Sequence, residues 1–520
     1  MPSSTRSVRI LLTATEAYPA LERAFLGATS EVWASFMVFD LQTRLRSPEA
    51  LAIGRTWFDL IVHTLNRGVA LNICLSDSDG ILRPAMSRRA TRQMRWFSAA
   101  AAVARSGARL KVQLARHPAE VGALFRLVLW PRAMKMLCRS VEWLNSLNPA
   151  QRVAALRDMV GLRHHLRQQA DGTMRVNFLS LPRLFPVVHH QKLAVIDRQL
   201  LYIGGLDLDA RRDETPNHSR TDDQIWHDVQ LMIEGPEVAE AQQHLESFRE
   251  VIEASIPEPK TRRLLRTLSR RRPVNLWHFG PQPLVNELRS AHQVLARRAT
   301  TFIYLESRYF RDRSLALTLA DDARRTPDLG MILILPATAD DVDFDGSRSL
   351  ESRLGEALQA RALRILRKGF GARLFIGSPA QPSHPTPEGT ADVQNPGDGF
   401  YGAPVVHMHA KVSVFDDKAA IVSSANLNRR SLLWNTEVGV YLAVQNDVLE
   451  LRHRVMAHWL PANSRAEAYG ATTAVREWTR IAWSNATKRP TDRDGYLLPH
   501  EFAVAEAFGR TPPMTPPEWV

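Results

Sequence analysis

The pattern His-x-Lys-x-x-x-x-Asp occurs twice in this chain, as His190, Lys192 and Asp197 and again as His409, Lys411 and Asp416. In each copy six residues follow the aspartate before a turn of small residues. The turn is Gly204-Gly205-Leu206-Asp207 in the first copy and Ser423-Ser424-Ala425-Asn426 in the second. One such pattern arises by chance. Two with the same sequel at the same spacing point to a duplicated half-site, so the chain is constrained to fold as two similar halves. Only eight of the 520 residues are lysine, because arginine supplies nearly all the basic charge. Two of those eight hold the matching motif positions, where a compact ammonium rather than a planar guanidinium is wanted.

Each copy reads as a strand. Val187, Val188, Leu193, Val195 and Ile196 surround the first, and Val405, Val406, Val412, Val414 and Phe415 the second. Residues i and i+2 of a strand share a face, so each histidine projects beside its lysine. A histidine next to an ammonium suits phosphate rather than a metal ion. Two lysines can hold non-bridging oxygens as charge rises at a five-coordinate phosphorus. One imidazole can attack phosphorus, and the other can protonate the leaving alcohol and then activate water. A nucleophilic imidazole needs an acceptor on its other nitrogen. Each half supplies one downstream, Asp228 in Trp226-His227-Asp228-Val229 and Glu437 in Asn435-Thr436-Glu437-Val438.

The halves also begin alike. A helix from Glu16 to Ala28 precedes a strand from Glu31 to Phe39, and a helix around Pro283 to Arg298 precedes a strand from Thr301 to Leu305. A further helix and strand follow in each, Val69 to Leu75 and Met331 to Leu335. Alternating strands and helices predict an α/β fold: two similar halves, each a mixed sheet flanked by helices, packed about a pseudo-two-fold axis with the active site at the junction. The expected boundaries are 1–260 for the first half, with a helical insertion at about 85–175, then a basic linker at 261–273, the second half at 274–485 and an extension at 486–520. Within the insertion, Glu120 to Leu147 is amphipathic, basic and contains tryptophan, with Pro131 expected to kink it or start a new helix. It reads as a packing helix, with a membrane-contacting or acyl-chain-binding element as the alternative. Residues 378–404, rich in Pro, Gly, Asp and Ser, read as a loop at the mouth of the site, and the tail from Arg510 as extended.

These motifs resemble the phospholipase D superfamily, specifically its lipid-cleaving branch with two motifs in one chain. The resemblance rests on His189-His190-Gln191-Lys192, Gly204 to Leu208 and Trp226 to Val229. It also rests on Ile303-Tyr304-Leu305-Glu306-Ser307-Arg308-Tyr309-Phe310, similar to that branch's Ile-Tyr-Ile-Glu-Asn-Gln-Tyr-Phe, and on Ser424 to Ser431. It implies a ping-pong phosphodiesterase that requires no metal or other cofactor. His190 would be the nucleophile and His409 the general acid and base. Lys192 and Lys411, with Asn426 and Ser424, would hold phosphate oxygens, and Asp228 and Glu437 would orient the histidines. Asp197 and Asp416 complete the motif, fixing the turn and the surroundings of the lysines. The implied activity is hydrolysis or transfer of a glycerophospholipid headgroup phosphodiester. A cardiolipin-synthase-like phosphatidyltransferase and a nuclease are the alternatives. Ser423 stands where the family usually has glycine, and Asp207 stands opposite Asn426; neither change removes a catalytic group.

A net charge of +13 and a pI near 10.1 call for an anionic partner, with a membrane surface ahead of nucleic acid. Two cysteines, Cys74 and Cys138, give no disulfide framework and read as free thiols. No signal-peptide pattern and no long apolar run is present, so a cytoplasmic, peripherally membrane-associated protein is expected, with export by a route lacking a cleaved signal as the alternative. Two motifs per chain make a complete site in a monomer.

Overall fold

The computed structural model describes residues 6–105, 107–209, 226–337, 350–381, 400–403 and 406–502. Most of the loop expected at 378–404, Val405 and the tail from Arg510 lie outside the described residues.

The first half contributes β1 (Ser7–Leu12), β2 (Glu31–Phe36), β3 (Ala70–Ser76) and β4 (Leu110–Ala115), then a small hairpin of β5 (Leu166–Gln168) and β6 (Met174–Val176). It continues with β7 (Leu193–Ile196), β8 (Leu200–Gly204), β9 (Trp226–His227) and β10 (Val229–Glu234). The second half contributes β11 (Leu264–Arg270), β12 (Gln282–Asn286), β13 (Phe302–Glu306), β14 (Gly330–Ile334) and β15 (Leu374–Pro379). Then come β16 (His407–Met408), β17 (Val412–Phe415), β18 (Ala419–Ser423), β19 (Glu437–Leu442) and β20 (Leu497–Pro499).

The first sheet runs β1-β10-β8-β7-β2-β3-β4 and the second β12-β11-β19-β18-β17-β13-β14-β15-β20. Stripped of β12 and β20 at its edges, the second sheet has the order of the first. In each, a parallel trio (β2-β3-β4; β13-β14-β15) joins an antiparallel set carrying the motif. The motif strands explain why the sequence packs two layers deep. In β7, Leu193 and Val195 point into a core shared by both sheets, while Ala194 and Ile196 point to the first half's own helices. In the second half, Val412 and Val414 enter the same shared core, and Phe415 faces the helices of that half. A strand covered on both faces reads as an unbroken apolar run, as Leu-Ala-Val-Ile does here. The result is a helix–sheet–sheet–helix sandwich, a mixed α/β fold.

Three boundaries differ from those expected. Helix Pro84–Val103 and β4 are part of the first sheet's own β–α–β succession, because β4 pairs in parallel with β3. The added region therefore starts after Ala115, not near residue 85. Residues 261–273 are not a linker: β11 pairs with β19, and its Arg266 is buried against Glu287. The 486–520 segment supplies β20, which pairs with β15. Charge misled the reading of β11, since its Arg266 and Arg270, flanked by Arg262, Arg263, Arg271 and Arg272, look like a solvated run. Helix Ala123–Ser146 continues across Pro131, so no new helix starts there.

The added region builds a core of its own. Ala133, Met134, Leu137 and Leu144 of the long helix pack with Leu184, Val187, Phe279 and Trp434. This ties it to both halves, beside the segment that enters the first motif. Cys74 and Cys138 are free and half-buried, and burial raises the Cys74 thiol to about 11. Among the described residues no helix is long and apolar enough to cross a membrane.

Candidate active site

The site is built on two equivalent turns. Asp197 and Asp416 sit at the β7–β8 and β17–β18 turns with φ of 51° and 52°. Asp197 accepts five hydrogen bonds, from the backbone N–H of Thr29, Ser30 and Glu31 and the hydroxyls of Thr29 and Ser30, at 2.7–2.9 Å. Asp416 accepts the equivalent set from Thr300, Thr301 and Phe302. Each aspartate thereby clamps its turn to the start of the central strand, β2 or β13. Their partners lie at the far end of the motif strands from the histidines, so both motif aspartates are structural rather than members of the reacting set.

Burial would raise the Asp197 carboxyl, but the three N–H donors hold it at about 2. Asp197→Asn is expected to cost roughly 1–2 kcal/mol, since an amide nitrogen would face these donors. The carboxylate's contribution is complete above its ordinary value and fades as pH falls toward 2. The gap in urea midpoint between the two proteins should therefore be full near about pH 6 and smaller near about pH 3.

Neither motif histidine lies within a regular strand. Each sits in the extended approach to β7 or β17, next to a short parallel pairing with the opposite half. His189 bridges Thr436, and β16 pairs with β9, matching Met408 to His227. The His190 N–H donates to Thr436 O and the His409 N–H to His227 O, both at 2.8 Å. The next residue along each strand of these pairings is a motif histidine on one side and an acid on the other. The orienting acids are therefore exchanged between halves. His190 Nδ1 lies 3.0 Å from Glu437 Oε2, and His409 Nδ1 lies 2.6 Å from Asp228 Oδ2. The expectation that each half supplies its own acid is corrected by this stitch. A sequence cannot reveal it, because the pairing is tertiary.

Each acid is held from behind. Asp228 Oδ1 accepts its neighbour's N–H, from Val229. Glu437 accepts from the Ser424 hydroxyl at 2.6 Å and from Asn435 Nδ2 at 3.1 Å. The Ser424 hydroxyl also takes the Val438 N–H, so it positions Glu437 and does not reach out to a phosphate as expected. Its counterpart is Gly205, where a Cβ would stand 2.4 Å from Asp228 Oδ1. One half uses a hydroxyl to hold its acid, and the other uses empty space to admit it. The unusual Ser423 is accommodated in the same manner. It pairs with Gly439, whereas its counterpart Gly204 pairs with Gln230, so each pair keeps one glycine.

Lys192 and Lys411 are both buried, and each ammonium donates to the carbonyl of its own motif histidine. Burial, with the charges of Lys192 and Arg308 nearby, brings Lys411 down to about 7 against the pull of Asp228 and Glu437. Lys192 lies 3.7 Å from Asp207, whose other oxygen accepts the N–H groups of Met37 and Val38. Asn426, the counterpart of Asp207, is buried, and its Oδ1 lacks a hydrogen-bond partner among the described residues. Burial is the largest influence on His190 and lowers its pKa, with Glu437 opposing and Lys192 adding to the fall. Among the described residues no group of three or more His, Cys, Asp or Glu could hold a metal ion.

Three supporting residues carried no sequence signal of their role. Glu306 is buried, 3.0 Å from His227 Nε2, and accepts from Tyr304 and from Trp459 Nε1. It steadies His227, whose carbonyl holds the His409 backbone. In the first half, Ser35 stands at the position that matches Glu306 and accepts from Gln191, which is also bonded to His244. Arg308 brings a further cation toward Lys411, at a place where the resembling segment has glutamine.

Two stitched α/β halves with paired histidines, lysines and acids define an enzyme of the phosphodiesterase or phosphotransferase type. The chain is similar to proteins of the phospholipase D superfamily. A family described as "Cardiolipin synthase, PLD-like domain" matches residues 295–459. Phospholipase D1 of Schizosaccharomyces pombe is 22% identical over 411 residues, covering 56% of this chain and 28% of that protein. Phospholipase D alpha 1 of Oryza sativa subsp. japonica is 22% identical over 375 residues, covering 51% of this chain and 46% of that one. This chain thus spans less than half the length of these curated relatives. Among solved structures, phosphatidylserine synthase of Haemophilus influenzae aligns with a TM-score of 0.46 at 11% identity, covering 86% of this chain and 84% of that one.

Proposed function

We propose that the protein is a phospholipase D, cleaving the phosphodiester between a glycerophospholipid's phosphatidyl group and its headgroup alcohol. The observation that carries this is the crossed geometry. Two histidines, each fixed at Nδ1 by a carboxylate of the opposite half, meet at one junction with two buried lysines. A carboxylate at Nδ1 sets the tautomer and directs the chemistry to Nε2.

His190 Nε2 attacks phosphorus and the P–O bond to the headgroup breaks. His409 gives the departing alkoxide its proton. His409 then takes a proton from water or an acceptor alcohol, whose oxygen displaces His190 and releases phosphatidate or a phosphatidylalcohol. Lys192, Lys411 and Asn426 hold the non-bridging oxygens. The His190 side chain is 15% exposed against 6% for His409, which favours His190 as the group that meets the substrate first. The match to a family described as cardiolipin synthase supports transfer to a second lipid alcohol as the alternative reading.

Product analysis with mixed glycerophospholipid vesicles, with and without a short primary alcohol, tests the proposal. Phosphatidate, diverted to phosphatidylalcohol when the alcohol is present, is the expected result. Lipid-to-lipid transfer without phosphatidate would move the assignment to the transferase. Cleavage of DNA with no lipid product would overturn it.

A further inference from the structure

We infer that the added region carries the surface through which the protein docks on an anionic lipid bilayer, delivering the mouth of the site to its substrate. This rests on the phospholipase D reading above. The surface has two parts that lie side by side. The first is the opening of helix Ala123–Ser146, where Leu127 and Val128 are 58% and 72% exposed. The second is the loop before Phe279, where Val274 and Trp277 are 74% and 71% exposed. The N–H groups of Gly122, Ala123 and Leu124 donate to the carbonyls of His278, Asn275 and Leu276, which fuses the two parts. A Cβ at position 122 would stand 2.6 Å from His278 O, so glycine is required for this approach.

The same helix packs Met134, Leu137 and Leu144 inward on its later turns. Its first turns leave Leu127 and Val128 exposed among the described residues, while Phe125 and Leu129 pack inward. A contiguous apolar surface with an outstanding tryptophan marks an interaction site rather than ordinary exposure. Charge selects the partner. Arg126, Arg183 and Arg271 converge on the single carboxylate of Glu120, leaving excess positive charge beside the apolar residues. Asn275 of the exposed loop is bonded to the Glu120 carbonyl, which places this cluster at the loop's base. Aliphatic and tryptophan side chains ringed by arginine suit the interfacial zone of an anionic bilayer, with the apolar groups among acyl chains and the guanidinium groups among phosphates.

Continuity with the site supports the orientation. Val121, one residue from the loop contact, donates its N–H to Leu184 O on the segment that runs into His189 and His190. Phe279, directly after the loop, stacks on Trp434, which precedes the Asn435–Glu437 segment. The docking face and the catalytic groups are thus two ends of one packed unit.

The test compares the wild-type protein with a Leu127→Asp/Trp277→Asp double variant in sedimentation with equimolar phosphatidylcholine–phosphatidylglycerol vesicles. Trp483→Asp serves as a control, replacing an exposed tryptophan of the second half. A water-soluble chromogenic phosphodiester reads the chemistry separately. The double variant should bind vesicles about ten-fold or more weakly while the control binds as wild type, and both should cleave the soluble ester normally. Arg183→Glu/Arg271→Glu should weaken binding to the anionic vesicles but not to pure phosphatidylcholine. Wild-type protein that does not bind these vesicles, or a double variant that binds as well as wild type, overturns the inference and leaves the face to a protein partner. Equal loss in the control overturns it too. Vesicle binding without lipid cleavage would instead leave the docking surface standing and remove the phospholipase reading.

Discussion

His190→Ala is expected to lower kcat by roughly ten-thousand-fold or more with the fold intact, because it removes the imidazole assigned to form the covalent intermediate. The sharper experiment uses a p-nitrophenyl phosphodiester, whose leaving group departs without a proton. With this substrate His409→Ala should still release a burst of one p-nitrophenolate per site and then stall, since the step that needs water activated by His409 is blocked. His190→Ala should give no burst. The reverse pattern would exchange the roles of the two histidines, and a burst in neither would remove the covalent route. The same environment sets the pH profile. Burial, with Lys192 and Lys411, lowers the His190 pKa against the pull of Glu437, so the neutral nucleophile persists below the ordinary imidazole value of 6.5. The acid limb of kcat/KM for the wild-type enzyme should accordingly fall below that value.

The second large effect concerns the acids. Glu437→Gln and Asp228→Asn should each cost roughly a thousand- to ten-thousand-fold in turnover, as expected when an imidazole loses the carboxylate that sets its tautomer. Their kinetic signatures should differ, and the difference reads the crossed pairing directly. Glu437 faces His190, so Glu437→Gln should suppress the burst itself. Asp228 faces His409, so Asp228→Asn should keep the burst on the activated ester and slow the hydrolysis of the phosphohistidine. If each acid served the histidine of its own half, the two outcomes would be exchanged. Ser424→Ala should act as a mild version of Glu437→Gln, because the hydroxyl holds that carboxylate and one neutral bond to a charged group is worth roughly 1.5–3 kcal/mol.

Duplication, strand character and the residues that the fold brings to the junction were all present in the amino-acid sequence. Local order carries them: Leu193 to Ile196 is apolar on both faces, and Val412 to Phe415 apolar but for Ser413, because both faces are covered, and that composition is visible without a structure. The paired aspartates were also legible as turn-fixing groups, since the turn they close and the strand they clamp recur at matched spacing in both halves. The basic run around β11 was not legible, because only pairing with β19 decides that Arg266 is buried against Glu287 rather than solvated. Ser424 looked like a phosphate donor because its distance to Glu437, thirteen positions away, is set by the β18–β19 pairing. Which acid serves which histidine was decided entirely by tertiary structure. Spacing along the chain ties Asp228 to His190, but the short parallel bridges between halves place it against His409, nearly two hundred residues away. Sequence determined the groups and the symmetry that brings them together. The fold alone determined their partners, because an isolated half leaves its histidine without an acceptor, and only packing the two halves together supplies one.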